Sequence, residues 1–363
     1  MVIAPLRIAV FTYGLPVPGQ KRGGIERVAH ELSDGLARRG HRVVVWTYDP
    51  RPDSAAYDVR QLPGKRFVVS WLGRRLTMGY LGNLIPLLTN FGRSDVVLAL
   101  GDSLLLALTN RRVLRVMLGS ALGEARSATS PWRAALQTGV YCQELLTAAV
   151  QSSCVGISEN TRHWNPFVRR MIPCGVDLTV FYPEPNSKTG RPSILFVGAL
   201  TGRKRGGRMI EWFTRRIQVA VPDATLDMVG PSGPLLPGVT YHIGLTDREL
   251  AGLYRRAWVY ASPSSYEGFG LPYLEAMASG TPVVATPNPG SRELLEGGKY
   301  GVLADDGAFA DRVVRLLKTD SERAELAEHG LAQAERYSLA CTIDRYEELL
   351  GTVCLPRKSR RFI

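Results

Sequence analysis

Two successive series of short apolar runs, each run followed by a stretch with apolar residues at helical spacing, constrain this chain more than any other feature. Such alternation is the pattern of parallel strands joined by crossover helices. In the first series it predicts strands at residues 6–13, 42–47, 95–100, 113–118 and 153–157. Helices are predicted at 24–39, stopped by Gly40, and at 132–150. The second series predicts strands at 194–197, 225–229, 239–242, 258–261 and 282–285, with helices near 208–219, 247–257 and 272–279. Between the series, residues 182–192 hold three prolines and no apolar periodicity, the composition of a linker. The expected fold class is therefore α/β, with two doubly wound domains, and the expected boundary falls between 183 and 184.

Composition fits this reading. A chain of 363 residues with 45% hydrophobic and 21% charged residues has room for two globular domains. It contains no run of about 18 apolar residues, so no spanning helix is expected, and the apolar start Ile8-Ala9-Val10-Phe11 is too short for a signal-peptide core. The expected location is the cytoplasm. Five cysteines (Cys142, Cys154, Cys174, Cys341 and Cys354) without C-x-x-C spacing argue against a disulfide framework or a thiolate metal site. Charge is uneven: residues 1–183 carry 22 Lys or Arg against 12 Asp or Glu, which is +10 of the net +12. Arg74, Arg75, Arg111, Arg112 and Arg115 belong to this excess. Such a field attracts nucleic acid, an anionic membrane or a phosphorylated substrate, and an alternative is a solvated basic face.

In an open α/β sheet, ligands bind at the carboxyl ends of the strands, so function belongs in the loops that follow them. The stretch Pro263 to Ala285 is the richest. Glu267 lies on the loop after the strand at 258–261, followed by Gly268-Phe269-Gly270-Leu271-Pro272. The glycines allow close approach of backbone to ligand, and Pro272 suits the first turn of a helix whose amide groups face an anion. Glu275, one turn further, is able to accept two hydroxyl hydrogen bonds, as a ribose requires, while Glu267 is suited to a sugar hydroxyl.

Taken together, Glu267 and Glu275 at E-x7-E spacing, with the intervening Gly-Phe-Gly-Leu-Pro and the following Glu-Ala-Met-Ala-Ser-Gly-Thr-Pro, resemble the donor-binding segment of family 4 retaining glycosyltransferases. Further segments extend the resemblance: Gly23-Gly24-Ile25-Glu26-Arg27, Ile157-Ser158-Glu159-Asn160, and Ile172-Pro173-Cys174-Gly175-Val176-Asp177 with Phe181. The resemblance implies a GT-B fold, two Rossmann-like domains facing across a cleft. Residues 1–183 would form the acceptor-side domain and 184–337 the donor domain, with a helix at about 338–363 packing back on the first.

It also implies hexosyl transfer from a nucleotide diphosphate sugar, UDP- or GDP-linked, to an acceptor hydroxyl with retention of configuration. Catalytic positions are then Glu267, Arg203 and Lys204. Donor-binding positions are Gly23, Gly24, Glu275, Gly268, Phe269, Gly270 and Leu271. Base contacts are expected near His242, Ile243, Gly244 and Leu245. The sequence departs from the family pattern twice: Ala199 stands where an arginine is usual, leaving Arg203 to supply the second cation, and Asp102 is the nearest polar residue where many relatives have a histidine. Asp102 is therefore the acceptor-side candidate.

No cofactor or metal is expected, since the sequence has no Asp-x-Asp, no dinucleotide fingerprint and no P-loop. The basic first half points to an anionic membrane surface and a lipid-linked or phosphorylated acceptor glycan, as in envelope polysaccharide synthesis. Aromatics do not alternate with the basic residues, so nucleic acid is not an expected partner. A sugar-nucleotide-binding relative with weakened turnover is the alternative function.

Overall fold

The computed structural model describes residues 4–17, 23–63, 68–71, 74–77, 84–109, 111–126, 130–151 and 153–354, with backbone alone at 68–71 and 74–77. The basic tail at 357–361 lies outside the described residues, as does the end of the expected helix at 338–363. The chain divides into two compact units. One comprises Met1–Ala125, Trp132–Pro173 and Thr342–Ile363; the other comprises Arg126–Pro131 and Cys174–Cys341.

The first unit contains strands β1 (Arg7–Phe11), β2 (Arg42–Thr47), β3 (Asp58–Gln61), β4 (Val68–Trp71), β5 (Arg74–Thr77), β6 (Val96–Ala99), β7 (Val113–Met117), β8 (Cys154–Gly156) and β9 (Arg170–Met171). Seven of them form a sheet in the order β3-β2-β1-β6-β7-β8-β9, with every pairing parallel, while β4 and β5 make a separate antiparallel hairpin. Central strands are buried on both faces, which is why they read as continuous apolar runs: all four residues of β6 and all five of β7 are buried. The helix Gly24–Arg38 turns Val28, Ala29, Leu32, Ser33 and Leu36 inward, one apolar stripe at helical spacing. Within the helix Leu339–Cys354, Thr342 hydroxyl donates to the carbonyl of Pro173 at 3.1 Å, and Ile343 fills the place where a Cβ on Gly35 would stand.

The second unit contains β10 (Ser193–Val197), β11 (Thr225–Val229), β12 (Val239–His242), β13 (Val259–Ser262), β14 (Val283–Ala285) and β15 (Val302–Leu303). They pair in parallel in the order β12-β11-β10-β13-β14-β15, the Rossmann order 3-2-1-4-5-6. Phe196, Met209, Trp212, Phe213, Leu226, Phe309 and Val313 lie in its core, with Trp212 and Phe309 stacked at 4.7 Å between centroids. Residues 174–183 belong with this unit: Val176 bridges to Ser338, and the ring of Phe181 meets that of Tyr254 edge-on at 6.0 Å. Far from hanging free, the proline-rich segment is pinned. Lys188 donates to the carbonyls of Ala257 at 2.8 Å and Gly280 at 3.1 Å, and Trp258 Nε1 donates to Thr189 O at 2.8 Å.

Candidate functional site

In the second unit the strand order reverses between β10 and β13. Connections leave these neighbours in opposite directions, so the loops after them part and open a crevice at the carboxyl edge of the sheet. Arg203 and Lys204 stand on the loop after β10, in the 3-10 turn Gly202–Lys204, and Glu267 stands on the loop after β13. Backbone ties hold the loops together: Ser265 N–H donates to Arg203 O at 2.8 Å, and Arg203 Nη1 donates to Tyr266 O at 2.8 Å.

Glu267 is 5% exposed, and its carboxylate is gripped from both sides, by Arg203 Nη1 at 2.5 Å and Lys204 Nζ at 2.6 Å. Burial pushes this carboxyl up, but Lys204 and Arg203 outweigh it, and the group ends below its ordinary value. A carboxylate taken out of water costs several kcal/mol unless paired in good geometry, and here two cations meet its two oxygens. The three positions the sequence assigns to catalysis are thus one cluster, with the glutamate fixing the cations rather than standing apart from them.

Immediately downstream, Gly270 takes φ +106° to open the helix Leu271–Ala278, and a Cβ there would lie 2.4 Å from the Tyr273 ring. Only glycine meets both demands. Gly268 and Leu271 are partly exposed, whereas the Phe269 side chain is 4% exposed and packs on Tyr337 at 6.0 Å, so Phe269 has only its backbone to offer a ligand. Glu275, 3% exposed, sits in a helix whose residues Tyr273 to Ala278 are all buried. Its charge and that of Glu267 both reach the Tyr260 hydroxyl, holding that phenol well above its ordinary range together with burial, the larger cause. At the end of β12, His242 Nε2 lies 2.7 Å from Asp227 Oδ1, and Ile243 beside it is 64% exposed.

Gly23, Gly24 and Asp102 belong to the first unit. Gly23 precedes the helix Gly24–Arg38 without a side-chain cap, and the carboxylate of Glu26 approaches the position a Cβ on Gly23 would take, at 2.1 Å, so an acidic side chain already lies against this helix start. No heavy atom lies within 4 Å of a Cβ on Gly24 among the described residues. Asp102 follows β6 and accepts from Tyr13 Oη at 3.2 Å and from Gln143 Nε2 at 3.1 Å. Arg115, counted in the sequence among the surplus surface cations, is instead 8% exposed in the middle of β7, with its guanidinium bonded to the carbonyls of Ala99 and Gly101. That correction has a simple cause: the inward direction of one residue in a strand is fixed by the pleat and cannot be read from charge.

Two families match the chain, one on each side of its middle. The family described as Glycosyltransferase Family 4 matches residues 22–120, and the one described as Glycosyl transferases group 1 matches residues 191–319. The chain belongs to the family 4 glycosyltransferases.

A D-inositol 3-phosphate glycosyltransferase of Paenarthrobacter aurescens is 30% identical over 219 residues, 52% of this chain and 53% of that protein. The chain spans only between about a quarter and three fifths of the length of the curated relatives it matches. Among solved structures, sucrose-phosphate synthase from Thermosynechococcus elongatus is similar with a TM-score of 0.78 at 21% identity, covering 95% of this chain and 98% of that one. Anabaena HepE, in a crystal with UDP and glucose, gives 0.72 at 16% identity, over 95% and 99%. At such identities the likeness establishes the fold, GT-B, and nothing more.

Sequence reasoning passed over several residues that shape this family 4 chain's loops. Asn288 caps the helix Pro289–Leu294 and sends Nδ2 to the carbonyl of Ser264 at 2.9 Å and to Tyr273 Oη at 3.0 Å. Gly290 donates its amide to Glu267 O. The signal was available in Pro287-Asn288-Pro289-Gly290, an Asn followed by proline at a helix start. Glu144, which accepts from Ala121 N at 3.1 Å in the first unit, left no such signal.

Proposed function

We propose that this chain transfers a hexose-type sugar from a nucleoside diphosphate sugar to an acceptor hydroxyl, with retention of configuration. The observation that carries the reading is Glu267 bracketed by Arg203 and Lys204 at the switch point of the second unit. As the bond from sugar to diphosphate breaks, negative charge grows on the leaving phosphate, and cations already fixed by a carboxylate stabilise it without reorganising. Arg203 presents a planar fork to two phosphate oxygens and Lys204 a point charge, so the reaction in this reading draws its positive charge from the protein rather than from a metal. Backbone amides from Gly268 to Leu271 at the helix start add dipoles of the same sign. Glu275 takes the ribose and Glu267 the donor sugar, while the leaving phosphate accepts the acceptor's proton.

Support for a uridine donor comes from the HepE crystals, which hold UDP and UDP-glucose. The relatives' name, with its inositol phosphate, and the +10 balance of residues 1–183 favour an anionic acceptor, either a sugar phosphate or a lipid-linked glycan at a membrane surface. No helix among the described residues is long and apolar enough to cross a membrane. Thermal shift against UDP, GDP, ADP and dTDP tests the donor, because a bound nucleotide stabilises the folded state by mass action. UDP is expected to raise Tm most; no shift with any of the four would sink the reading. Transfer from UDP-glucose to inositol 3-phosphate, with the product anomer read by NMR, tests the reaction. Liposome binding that rises with anionic lipid and falls with salt tests the membrane contact.

A further inference from the structure

Three cations stand in a row on the loop after β10, and the third, Arg205, takes a different partner from the other two. Its backbone is left-handed, φ +56° and ψ +34°. Residues with a side chain avoid that region because Cβ crowds the following carbonyl oxygen, and one persists there only where its surroundings force it. Among the described residues Asn186, Arg205 and Glu296 combine a side chain with such a φ, and of these Arg205 alone adjoins a residue of the crevice. The turn at 205 ends the 3-10 turn Gly202–Lys204 and starts the helix Gly206–Trp212 in one step. Arg205 N–H donates to Gly202 O at 3.2 Å, and Arg205 O accepts from Arg208 N at 2.9 Å and Met209 N at 3.2 Å. Gly206 N and Gly207 N donate to Ala199 O at 3.2 Å and Leu200 O at 2.8 Å, which folds the helix start back on the loop. Space is short on both sides: a Cβ on Gly206 would lie 2.8 Å from Ala199 O, and one on Gly198 would lie 3.0 Å from Lys204 Cβ. The conformation at Arg205 therefore sets the direction in which Lys204 leaves the backbone.

Glycine would make this turn without strain, so the arginine side chain has to offset it. Its guanidinium bonds the carboxylate of Asp306, on the loop between β15 and the helix Phe309–Lys318, and lies 5.9 Å from the ring centroid of Trp212, which is stacked on Phe309. With 26% and 44% of the two side chains exposed, such a pair adds little to global stability, and its effect is local. We propose that Arg205 is a positioning residue for the transfer reaction: its pairing with Asp306, against Trp212, locks the left-handed turn that aims Arg203 and Lys204 at the diphosphate. This rests on the transferase reading and adds to it a residue that touches no substrate. Without the pair the turn relaxes toward the ordinary helical region, and Lys204 Nζ is carried off Glu267 and out of line with the phosphate.

Two measurements on the full chain test this. The first needs no nucleotide: a double-mutant cycle on Tm between Lys204→Ala and Asp306→Ala. Losses that are less than additive are expected, because a lysine already displaced has little left to lose; additive losses overturn the proposal. The second is calorimetric titration with UDP. Deleting a negative charge by itself strengthens binding of an anion, whereas Asp306→Ala is expected to weaken it about tenfold, as is Arg205→Ala. Asp306→Glu should restore most of the affinity, and Arg205→Gly, which takes the turn freely, should bind better than Arg205→Ala. UDP affinity at the wild-type level in Asp306→Ala overturns the proposal. So does an Arg205→Gly variant as weak as Arg205→Ala, since Arg205 would then contact the phosphate directly. A wild type that binds no UDP, with coupled Tm losses, upholds the hold of the turn on Lys204 and overturns the donor reading.

Discussion

The amide of Gly290 donates to the carbonyl oxygen of Glu267 at 2.9 Å, and a Cβ on that glycine would stand 2.2 Å from the carbonyl oxygen of Phe269. The loop bearing Glu267 is therefore laid directly against the backbone at the start of the next helix, with no space for a side chain between them. Gly290→Ala has to displace the loop, since the obstructing atom is backbone. Overpacking of this kind costs about 1–3 kcal/mol. A fall in Tm, together with weakened UDP binding, is the expected outcome; an alanine variant with wild-type Tm and UDP affinity would mean the loop is free to move.

Removing Lys204 leaves Glu267 with Arg203 alone and subtracts one cation from the crevice. Lys204→Ala is expected to weaken UDP binding about 10- to 100-fold, the range for a lost charged hydrogen bond. The remaining affinity should depend less on salt than that of the wild type. Titration of UDP at two ionic strengths measures both.

Glu267→Gln tests the ion pair through pH. The folded-state carboxyl titrates below its ordinary 4.5, so its ionisation stabilises the fold above that value, and the gain is lost as pH falls through the folded-state pKa. The variant should be less stable than wild type at pH 7, by about 2 kcal/mol. That is below the usual cost of a broken buried pair, because the Arg203 side chain is 38% exposed. As pH falls below 4.5 the gap between the two melting curves should narrow; a gap that does not narrow would refute the ionic account.

For Glu144 the sign is opposite. Its carboxyl is raised from 4.5 to about 7, so the folded chain binds more protons than the unfolded one between these values, and stability falls as pH rises through that window. Glu144→Gln removes the penalty while Gln keeps an oxygen for the Ala121 amide. The variant should be more stable than wild type at pH 8, by up to about 2 kcal/mol, and nearly equal to it at pH 5.

Much of the fold was legible. β6 is apolar throughout, and β1, β10 and β13 are apolar but for Arg7, Ser193 and Ser262 at one end, because sheet and helices bury both their faces, and such runs are visible in any sequence. β3, Asp58–Gln61, escaped because it is an exposed edge strand with no apolar signature, and β15 because two residues carry no period. The spacing at 208–219 predicts one helix; the structure has a helix, Gly206–Trp212, continued by the π turn Phe213–Ile217, whose extra residue leaves the apolar spacing nearly helical.

Sequence by itself determined the chemistry on offer: two α/β units, glycine-bearing loops at strand ends, and the acidic and basic residues carried there. What tertiary structure alone decided is who meets whom. Arg203 and Glu267 lie 64 positions apart, and they join because β10 and β13 are neighbours in the sheet although two strands separate them in the chain. Tyr13 and Asp102, 89 positions apart, meet for the same reason across β1 and β6. Periodicity reports which side chains leave water, but strand order, set by long-range pairing, chooses their partners, and the burial of Arg115 followed from that choice rather than from its charge.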